Sequence, residues 1–174
     1  MKYRTVVADP PWPILGKGEG LSRVRPPYPL MQLRQIELLP VAVQADADAH
    51  LYLWTTQQFV CEAWQVAHAW GFVPSNLLVW TKPGLGAGAR FRPNCEFVWF
   101  CERGYERLPI TRRDLGTHFS WPRGGHSVKP EAFYDLVESV SPGPYLELFA
   151  RRNRLGWDTW GNEALEHTTL EAIP

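Results

Sequence analysis

Short apolar runs alternate with longer segments of helical periodicity in this chain, and this alternation limits its fold more than any other feature. The apolar runs predict buried strands at residues 3–8, 50–55, 76–81, 95–101 and 145–149. Helical periodicity is clearest at residues 57–70 and 130–140, where Pro130 suits a first helical turn. Such alternation is typical of a mostly parallel sheet covered by helices on both faces. We predict an α/β fold in one domain spanning residues 1–174.

The charge is balanced over the whole chain but not along it. The sequence has 18 Lys and Arg residues and 18 Asp and Glu residues, so the formal net charge is zero. A chain without a strong overall field does not coat nucleic acid non-specifically, and any contact with nucleic acid is expected to be local. Residues 82–129 have nine basic and four acidic side chains, so this segment is the expected basic surface.

The cysteines and histidines do not form a metal-binding pattern. Cys61, Cys95 and Cys101 lack CxxC spacing and are odd in number, which argues against a disulfide framework or a zinc site and favours buried thiols. The five histidines include no i, i+4 pair. Because no apolar run is long enough for a signal peptide or a membrane span, we expect a cytoplasmic protein with no membrane association and no bound metal.

The tetrapeptide Asp9-Pro10-Pro11-Trp12 directly follows the first predicted strand, and open α/β sheets bind ligands at that end of a strand. The carboxylate of Asp9 and the carbonyl of Pro10 are two acceptors for the hydrogens of an exocyclic amine, because successive prolines fix the backbone and carry no N–H. Two such acceptors localise the lone pair of the amine for attack on a methyl donor. Trp12 is expected to stack on a base withdrawn from its strand. The alternative is a proline-rich turn without a chemical role.

Further short motifs resemble those of adenine-N6 methyltransferases that carry the Asp-Pro-Pro-Trp (DPPW) motif, the MT-A70 family, and in particular its bacterial and phage branch. In the order of the family, they lie at residues 9–12, 51–55, 71–72, 78–82, 92–96, 126–130, 141–143, 147–151 and 156–163. The resemblance covers nearly the whole chain. It implies a Rossmann-like S-adenosylmethionine-dependent methyltransferase fold in permuted order, in which the strand before the catalytic motif comes first and the cofactor strand, residues 145–149, comes near the end.

The resemblance also implies which residues form the site. The catalytic set is Asp9, Pro10, Pro11 and Trp12. The set implied in binding S-adenosylmethionine is Asp9, Lys129, Glu147, Phe149, Arg151, Asn153, Asn162 and Glu163. The residues expected to bind the substrate are Tyr28, Arg92, Asn94, Glu96 and Ser127.

Several of these residues have alternative roles. Glu147 lies inside an apolar strand and needs either a ligand, which the resemblance implies to be the ribose, or an ion pair. Lys129 binds the methionine carboxylate or the substrate nucleoside, or it is a solvated residue at a helix start. Arg92 contacts a phosphate or holds its loop by an ion pair, and Glu96 contacts a base edge or Lys129. Residues 162–163 hydrogen-bond the cofactor adenine or cap a helix.

These implications describe an enzyme that methylates adenine N6 in nucleic acid with S-adenosylmethionine. DNA is the expected polymer, because a compact chain without added RNA-binding modules resembles the bacterial and phage branch. RNA adenine-N6 and DNA cytosine-N4 methylation are the alternatives, since the same two acceptors suit either amine. A non-catalytic nucleic-acid-binding subunit is disfavoured by the intact motif. Specificity is expected to be loose, or to come from a homodimer, a partner subunit or the loops within residues 83–127.

Overall fold

The computed structural model describes residues 2–13, 29–86, 90–106, 108–122 and 128–161. These residues contain seven strands: β1 (Tyr3–Ala8), β2 (Ala45–Thr55), β3 (Val73–Thr81), β4 (Cys95–Arg103), β5 (His118–Ser120), β6 (Tyr145–Leu148) and β7 (Trp157–Trp160). They also contain four helices: α1 (Leu33–Glu37), α2 (Val41–Gln44), α3 (Val60–Ala69) and α4 (Glu131–Val140). Four residues of the expected site lie outside the described residues: Tyr28, Ser127, Asn162 and Glu163.

The seven strands form one sheet in the order β5-β3-β4-β2-β1-β6-β7. β1 is parallel to β2 and β6, β6 is parallel to β7, and β3 is parallel to β5. β4 is antiparallel to both of its neighbours, β2 and β3. The direction of β4 follows from its connection, because the described residues between β3 and β4 contain no helix and a parallel strand needs a longer crossover. The predicted mostly parallel α/β sheet is confirmed, whereas the reversal of β4 was not predicted.

Helices cover both faces of the sheet, as the sequence pattern predicts. Successive residues of a strand point to opposite faces. Val6 of β1 belongs to a buried cluster with Val66 and Ala67 of α3, whereas Val7 belongs to a second cluster with Phe133 and Val137 of α4. Coverage on both faces explains why residues 6–8 of β1 are all apolar rather than alternating. The central position of β1 places the tetrapeptide that follows it in the middle of one sheet edge.

Some elements differ from the sequence-based prediction. α1 and α2 have only five and four residues, too few for a helical period to be visible. β2 begins at Ala45 and not at the predicted residue 50. The apolar pattern did not include its first part, because that part alternates alanine with acidic residues and is only partly buried. α3 begins at Val60 rather than residue 57, after a turn closed by a hydrogen bond from Phe59 N to Thr56 O. The single domain of residues 1–174 stays a prediction.

No helix among the described residues is long and apolar enough to cross a bilayer. The same residues include no group of three or more His, Cys, Asp or Glu side chains that could hold a metal ion. Cys101 is buried, Cys95 is half-buried and Cys61 is exposed on α3. The prediction of buried thiols is therefore wrong for Cys61, which occupies an outward position on the helix.

A buried polar cluster joins β2 to the segment that follows α4. His50 Nδ1 and the Tyr52 hydroxyl oxygen each lie 2.8 Å from the hydroxyl oxygen of Ser141. The exposed fractions of His50, Tyr52 and Ser141 are 0%, 1% and 2%. Burial, assisted by the charge of Arg4, lowers the pKa of His50 to about 4. The folded protein therefore contains the neutral imidazole.

We expect the free energy of unfolding to fall as the pH drops from 6.5 towards 4, because the unfolded chain protonates His50 in this range and the folded protein does not. The two pKa values correspond to a loss of roughly 2 kcal/mol between about pH 7.5 and about pH 5. Urea unfolding at these pH values measures the loss. The His50→Asn variant should lose most of the dependence, and His118→Gln, at an exposed site, should keep it. An equal dependence in wild type and His50→Asn would contradict the prediction.

Candidate active site

The reversal of β4 brings its amino end to the same sheet edge as the carboxyl ends of the parallel strands. Asp9 follows β1, Thr56 follows β2 and Phe149 follows β6, while Glu96 is the second residue of β4. Ligands of open α/β sheets bind at this edge. Side chains from four neighbouring strands are therefore available at one site.

The tetrapeptide after β1 turns tightly. The N–H of Trp12 donates a hydrogen bond of 2.8 Å to the carbonyl oxygen of Pro10, and the N–H of Met31 donates one of 3.0 Å to the carbonyl oxygen of Pro11. A carbonyl oxygen has two lone pairs, so Pro10 retains one acceptor position. The turn thus fixes the backbone carbonyl of Pro10, the residue that directly follows Asp9.

Trp12 packs beneath the site. Its side chain is 4% exposed, and its Nε1 donates a hydrogen bond of 3.0 Å to the carbonyl oxygen of Trp54. Its ring is stacked on Phe59, with 5.7 Å between centroids and an angle of 14° between planes. A ring in this position offers no open face to a base. The expected base-stacking role is therefore corrected: Trp12 supports the motif by fixing it to the end of β2 and the start of α3.

A row of alternating charges connects Asp9 with the ends of β3 and β4. Lys129 Nζ lies 3.0 Å from Asp9 Oδ2 and 2.9 Å from Glu96 Oε2. The other oxygen of Glu96 accepts a hydrogen bond from Lys82. The exposed fraction of the Lys129 side chain is 12%, and that of Asp9 is 27%. Charges removed from water to this extent interact more strongly than pairs on the surface.

The pKa values of the central pair reflect these neighbours. Burial by itself would lower the pKa of Lys129, but the carboxylates of Asp9 and Glu96 outweigh burial and raise it above its ordinary value. Burial would raise the pKa of Glu96, yet Lys129 and Lys82 lower it to about 2. Lys129 and Glu96 are therefore both charged at neutral pH.

Trp54 forms the wall behind this row of charges. Lys129 Nζ lies 4.2 Å from the centroid of the Trp54 ring, a cation–π contact. Trp54 is 1% exposed and packs edge-on against Phe133 at 4.7 Å and Trp80 at 5.9 Å between centroids. Sequence reasoning missed this role, although the position of Trp54 near the end of a strand was visible. The rigid ring restricts the position of the ammonium group.

β6 contributes a buried carboxylate beside β1. Glu147 is 9% exposed, and the Tyr134 hydroxyl donates a hydrogen bond of 2.6 Å to its Oε1. Its Oε2 has no hydrogen-bond partner among the described residues. Burial raises the pKa of Glu147 and nearby Asp9 adds to the effect, whereas the Tyr134 hydrogen bond and the charges of Arg152 and Arg154 oppose it. Tyr134 is a second residue that sequence reasoning missed.

Tyr134 is itself fixed by the loop after β6. The Arg154 guanidinium lies 4.2 Å from the centroid of the Tyr134 ring. Arg152 and Arg154 both form ion pairs with Glu131, the first residue of α4. The start of α4 and the loop after β6 are thereby joined around the hydroxyl that binds Glu147.

The backbone bends sharply where β6 ends. Phe149 has a φ of 63°, in the left-handed region that residues other than glycine rarely adopt. The N–H of Ala150 donates a hydrogen bond of 3.0 Å to the carbonyl oxygen of Trp160. A Cβ atom on Gly161 would lie 2.3 Å from the carbonyl oxygen of Ala150, so only glycine allows this approach. Strained backbone of this kind is concentrated at functional sites.

The three expected substrate-binding residues that the structure describes, Arg92, Asn94 and Glu96, lie where β3 and β4 meet this edge. Arg92 donates a hydrogen bond of 2.6 Å from Nε to the carbonyl oxygen of Gly86, so it holds its own loop through the backbone, and it forms no ion pair with a described residue. The carbonyl oxygen of Asn94 accepts a hydrogen bond of 2.6 Å from Lys82 N. Of the two expected contacts of Glu96, the structure contains the one with Lys129.

Two expected cofactor residues lie in the loop after β6. Arg151 is half-buried. Asn153 is exposed, and its Oδ1 accepts a hydrogen bond of 3.2 Å from the hydroxyl of Thr159 in β7. This loop therefore leaves β6 on the side of β7, next to Glu147 and Phe149.

The sequence profile of the MT-A70 family matches residues 3–163. The chain belongs to the MT-A70 family. It is 31% identical to the type II methyltransferase M.MunI from a Mycoplasma species, over 93% of this chain and 78% of that protein. It is 27% identical to the N6-methyladenosine RNA methyltransferase MTA1 of Cryphonectria parasitica, over 94% of this chain and 52% of that protein. It is 25% identical to the human N(6)-adenosine-methyltransferase catalytic subunit METTL3, over 93% of this chain and 28% of that protein.

The MT-A70 match begins at the first residue of β1 and extends beyond β7. It therefore includes both halves of the site, the turn after β1 and the carboxylate of β6. The resemblance identified from the motifs is confirmed at the level of the family. The chain spans about half of the fungal MT-A70 relative and less than a third of the human one.

Proposed function

We propose that this MT-A70 protein methylates N6 of adenine in nucleic acid and uses S-adenosylmethionine as the methyl donor. The observation that carries the proposal is the carboxylate of Asp9, which Lys129 holds at 3.0 Å and which the fixed carbonyl of Pro10 directly follows in the chain. This pair of acceptors lies at the ligand-binding edge of the sheet. The names of the fungal and human relatives, both N6-adenosine methyltransferases, support the reaction type.

Asp9 and Pro10 act on an amine whose lone pair is delocalised into the base. Hydrogen bonds from its two hydrogens to the Asp9 carboxylate and the Pro10 carbonyl direct the lone pair out of the ring plane. The new N–C bond forms as the methyl–sulfur bond of the donor breaks and a neutral thioether leaves. Nitrogen thereby becomes positively charged, and the carboxylate of Asp9 stabilises that charge. The extra proton then leaves nitrogen for Asp9 and passes to water. Lys129, already bonded to two carboxylates, orients Asp9.

The end of β6 suits S-adenosylmethionine, which supplies a methyl group activated by its sulfonium. Glu147 is a buried acid with one unoccupied acceptor oxygen among the described residues, and such an acceptor fits the hydroxyls of a ribose. We assign Arg151 and Asn153 to the same ribose, and Phe149 to the adenine ring of the cofactor. The roles of residues 162–163, Tyr28 and Ser127 stay predictions.

Tyr134→Phe is expected to weaken S-adenosylmethionine binding about tenfold near neutral pH, because a hydrogen bond to a charged group is lost. Without it, the pKa of Glu147 rises further, so the deficit should narrow as the pH increases. Calorimetric titration from about pH 6 to about pH 9 measures this. Tyr145→Phe is the matched control, since that hydroxyl donates to the carbonyl of Ser141. Unchanged affinity of Tyr134→Phe for S-adenosylmethionine, or an equal loss of affinity at every pH, would contradict the assignment of Glu147 to the ribose.

We propose DNA as the polymer. The supporting comparison is the 31% identity with a type II methyltransferase along 78% of its length, whereas the relative named as an RNA methyltransferase is 27% identical along 52% of its length. The balanced charge of the chain predicts a local contact with the polymer, through the basic segment 82–129. A homodimer or a partner subunit would extend this contact surface.

The test is incubation of the purified protein with isotope-labelled S-adenosylmethionine and matched DNA and RNA oligonucleotides, followed by mass spectrometry of the nucleosides. N6-methyldeoxyadenosine is the expected product, and an oligonucleotide without adenine should remain unlabelled. Methylcytosine would overturn the choice of base, and modification of RNA alone would overturn the choice of polymer. Binding of both the cofactor and DNA without any transfer would instead indicate a non-catalytic subunit.

A further inference from the structure

A cavity of about 500 Å³ opens at the same edge of the sheet as the site. Its walls are the turn after β2, the segment after β3 and the start of β4, on the side of β1 opposite β6 and β7. Its lining residues include Gln57, Gln58, Lys82, Asn94 and Glu96. This volume is typical of pockets that bind small molecules.

The cavity is connected to the methyl-transfer site but separate from it. Lys129 bonds both Asp9 and Glu96, and Glu96 bonds Lys82 in the cavity wall. Asp9 is not among the lining residues. An amine that gives up a proton to Asp9 must lie about 3 Å from its carboxylate, so the reacting amine lies outside the cavity. It is placed to receive a neighbouring group of the same substrate.

The chemistry of the cavity suits a nucleobase. Gln57 and Gln58 are exposed, and their amides have no hydrogen-bond partner among the described residues. Asn94, which is half-buried, adds a third amide to the lining. Each amide offers a donor and an acceptor in fixed geometry, which is the pattern that protein amides use to read base edges.

We propose that this cavity is a second base-binding subsite, which receives the nucleotide next to the methylated adenine and reads its base through Gln57, Gln58 and Asn94. The inference rests on the proposed function, because it assumes a polymeric substrate with an adenine at Asp9. It assigns to residues of this chain a sequence preference at one position of the substrate that flanks the methylated adenine. Lys82 attracts the phosphodiester that joins the two nucleotides, as a cation at the mouth of the subsite.

The experiment uses a DNA library with one central adenine and random flanking bases. Methylated molecules are captured with an antibody to N6-methyladenine and sequenced. The wild type should prefer one base at a position adjacent to the adenine. In a Gln57→Ala/Gln58→Ala double variant this preference should be about tenfold weaker, while the variant still methylates adenine. Asn94→Ala should relax the same position. Gln65→Ala, an exposed glutamine on α3 outside the cavity, is the matched control and should keep the wild-type profile.

Each other outcome decides against the subsite. A wild-type profile in the double variant, or a flat profile in the wild type, overturns the subsite and leaves the methylation proposal intact. Complete loss of methylation in a double variant with an unchanged melting temperature means that the cavity serves the target base instead. Absence of methylation by the wild type overturns both proposals.

Discussion

Asp9→Ala is expected to slow methyl transfer by about 10²- to 10⁴-fold while the protein stays folded, because the variant removes a preorganised acceptor for the reacting amine. Asp9→Asn should be impaired similarly, since its amide hydrogens would point at the amine or at Lys129 instead of accepting from them. Rates of methyl transfer at saturating concentrations of both labelled S-adenosylmethionine and DNA measure the effect. The saturating conditions matter because Asp9 also belongs to the residues expected to bind the cofactor.

The matched control is Asp135→Ala, which removes an exposed carboxylate from the outer face of α4 and should keep the wild-type rate. Circular dichroism and cofactor titration show whether Asp9→Ala is folded and still binds S-adenosylmethionine. A folded, cofactor-binding Asp9→Ala protein with a rate within tenfold of wild type would eliminate the acceptor mechanism.

Lys129→Met is expected to destabilise the fold by about 3–5 kcal/mol, because it leaves partly buried carboxylates without their shared cation. Asp9 loses its ion pair, and Glu96 retains only Lys82. Since the pKa of Glu96 is about 2 in the folded wild type and 4.5 ordinarily, its ion pairs stabilise the fold above pH 4.5 and lose this effect as the pH falls towards 2. The deficit of the variant should therefore be largest above pH 4.5.

Urea unfolding compares Lys129→Met with Lys82→Met, in which the lost cation is more exposed, with 21% of its side chain accessible. A more exposed pair contributes less, so Lys82→Met should cost roughly 1 kcal/mol. If both variants lost the same stability, Lys129 would not be the central charge of the row. Lys129→Arg keeps the charge and should recover part of the lost stability, although its planar group does not match the ammonium geometry.

Local rules predicted much of the fold from the sequence. β1 could be located because a strand covered on both faces carries a continuous apolar run, here residues 6–8. α4 could be located because the apolar residues of a helix with one buried face repeat every three to four residues. Asp9 followed from its position after β1, and Glu147 from the cost of burying an unpartnered acid. These inferences needed only neighbours along the chain.

Long-range contacts explain what the sequence did not show. The partner of Glu147 is Tyr134, on a different element, and its hydroxyl was indistinguishable from that of any other tyrosine in a buried helix face. Trp12 follows the motif and was expected to be open to a base, but its burial depends on Phe59 and on the Trp54 carbonyl, which approach only when β2 packs beside β1. Spacing alone does not encode such contacts.

The antiparallel course of β4 also has an evolutionary consequence. The described part of residues 82–94 connects the neighbouring antiparallel strands β3 and β4 without a helix, while the strands next to Asp9 and Glu147 are held by other pairings. Surface connections tolerate insertions and exchange far better than the strands that they join. We therefore expect that exchange of this segment between related enzymes would change the preferred target sequence, while Asp9 and Glu147 keep their positions.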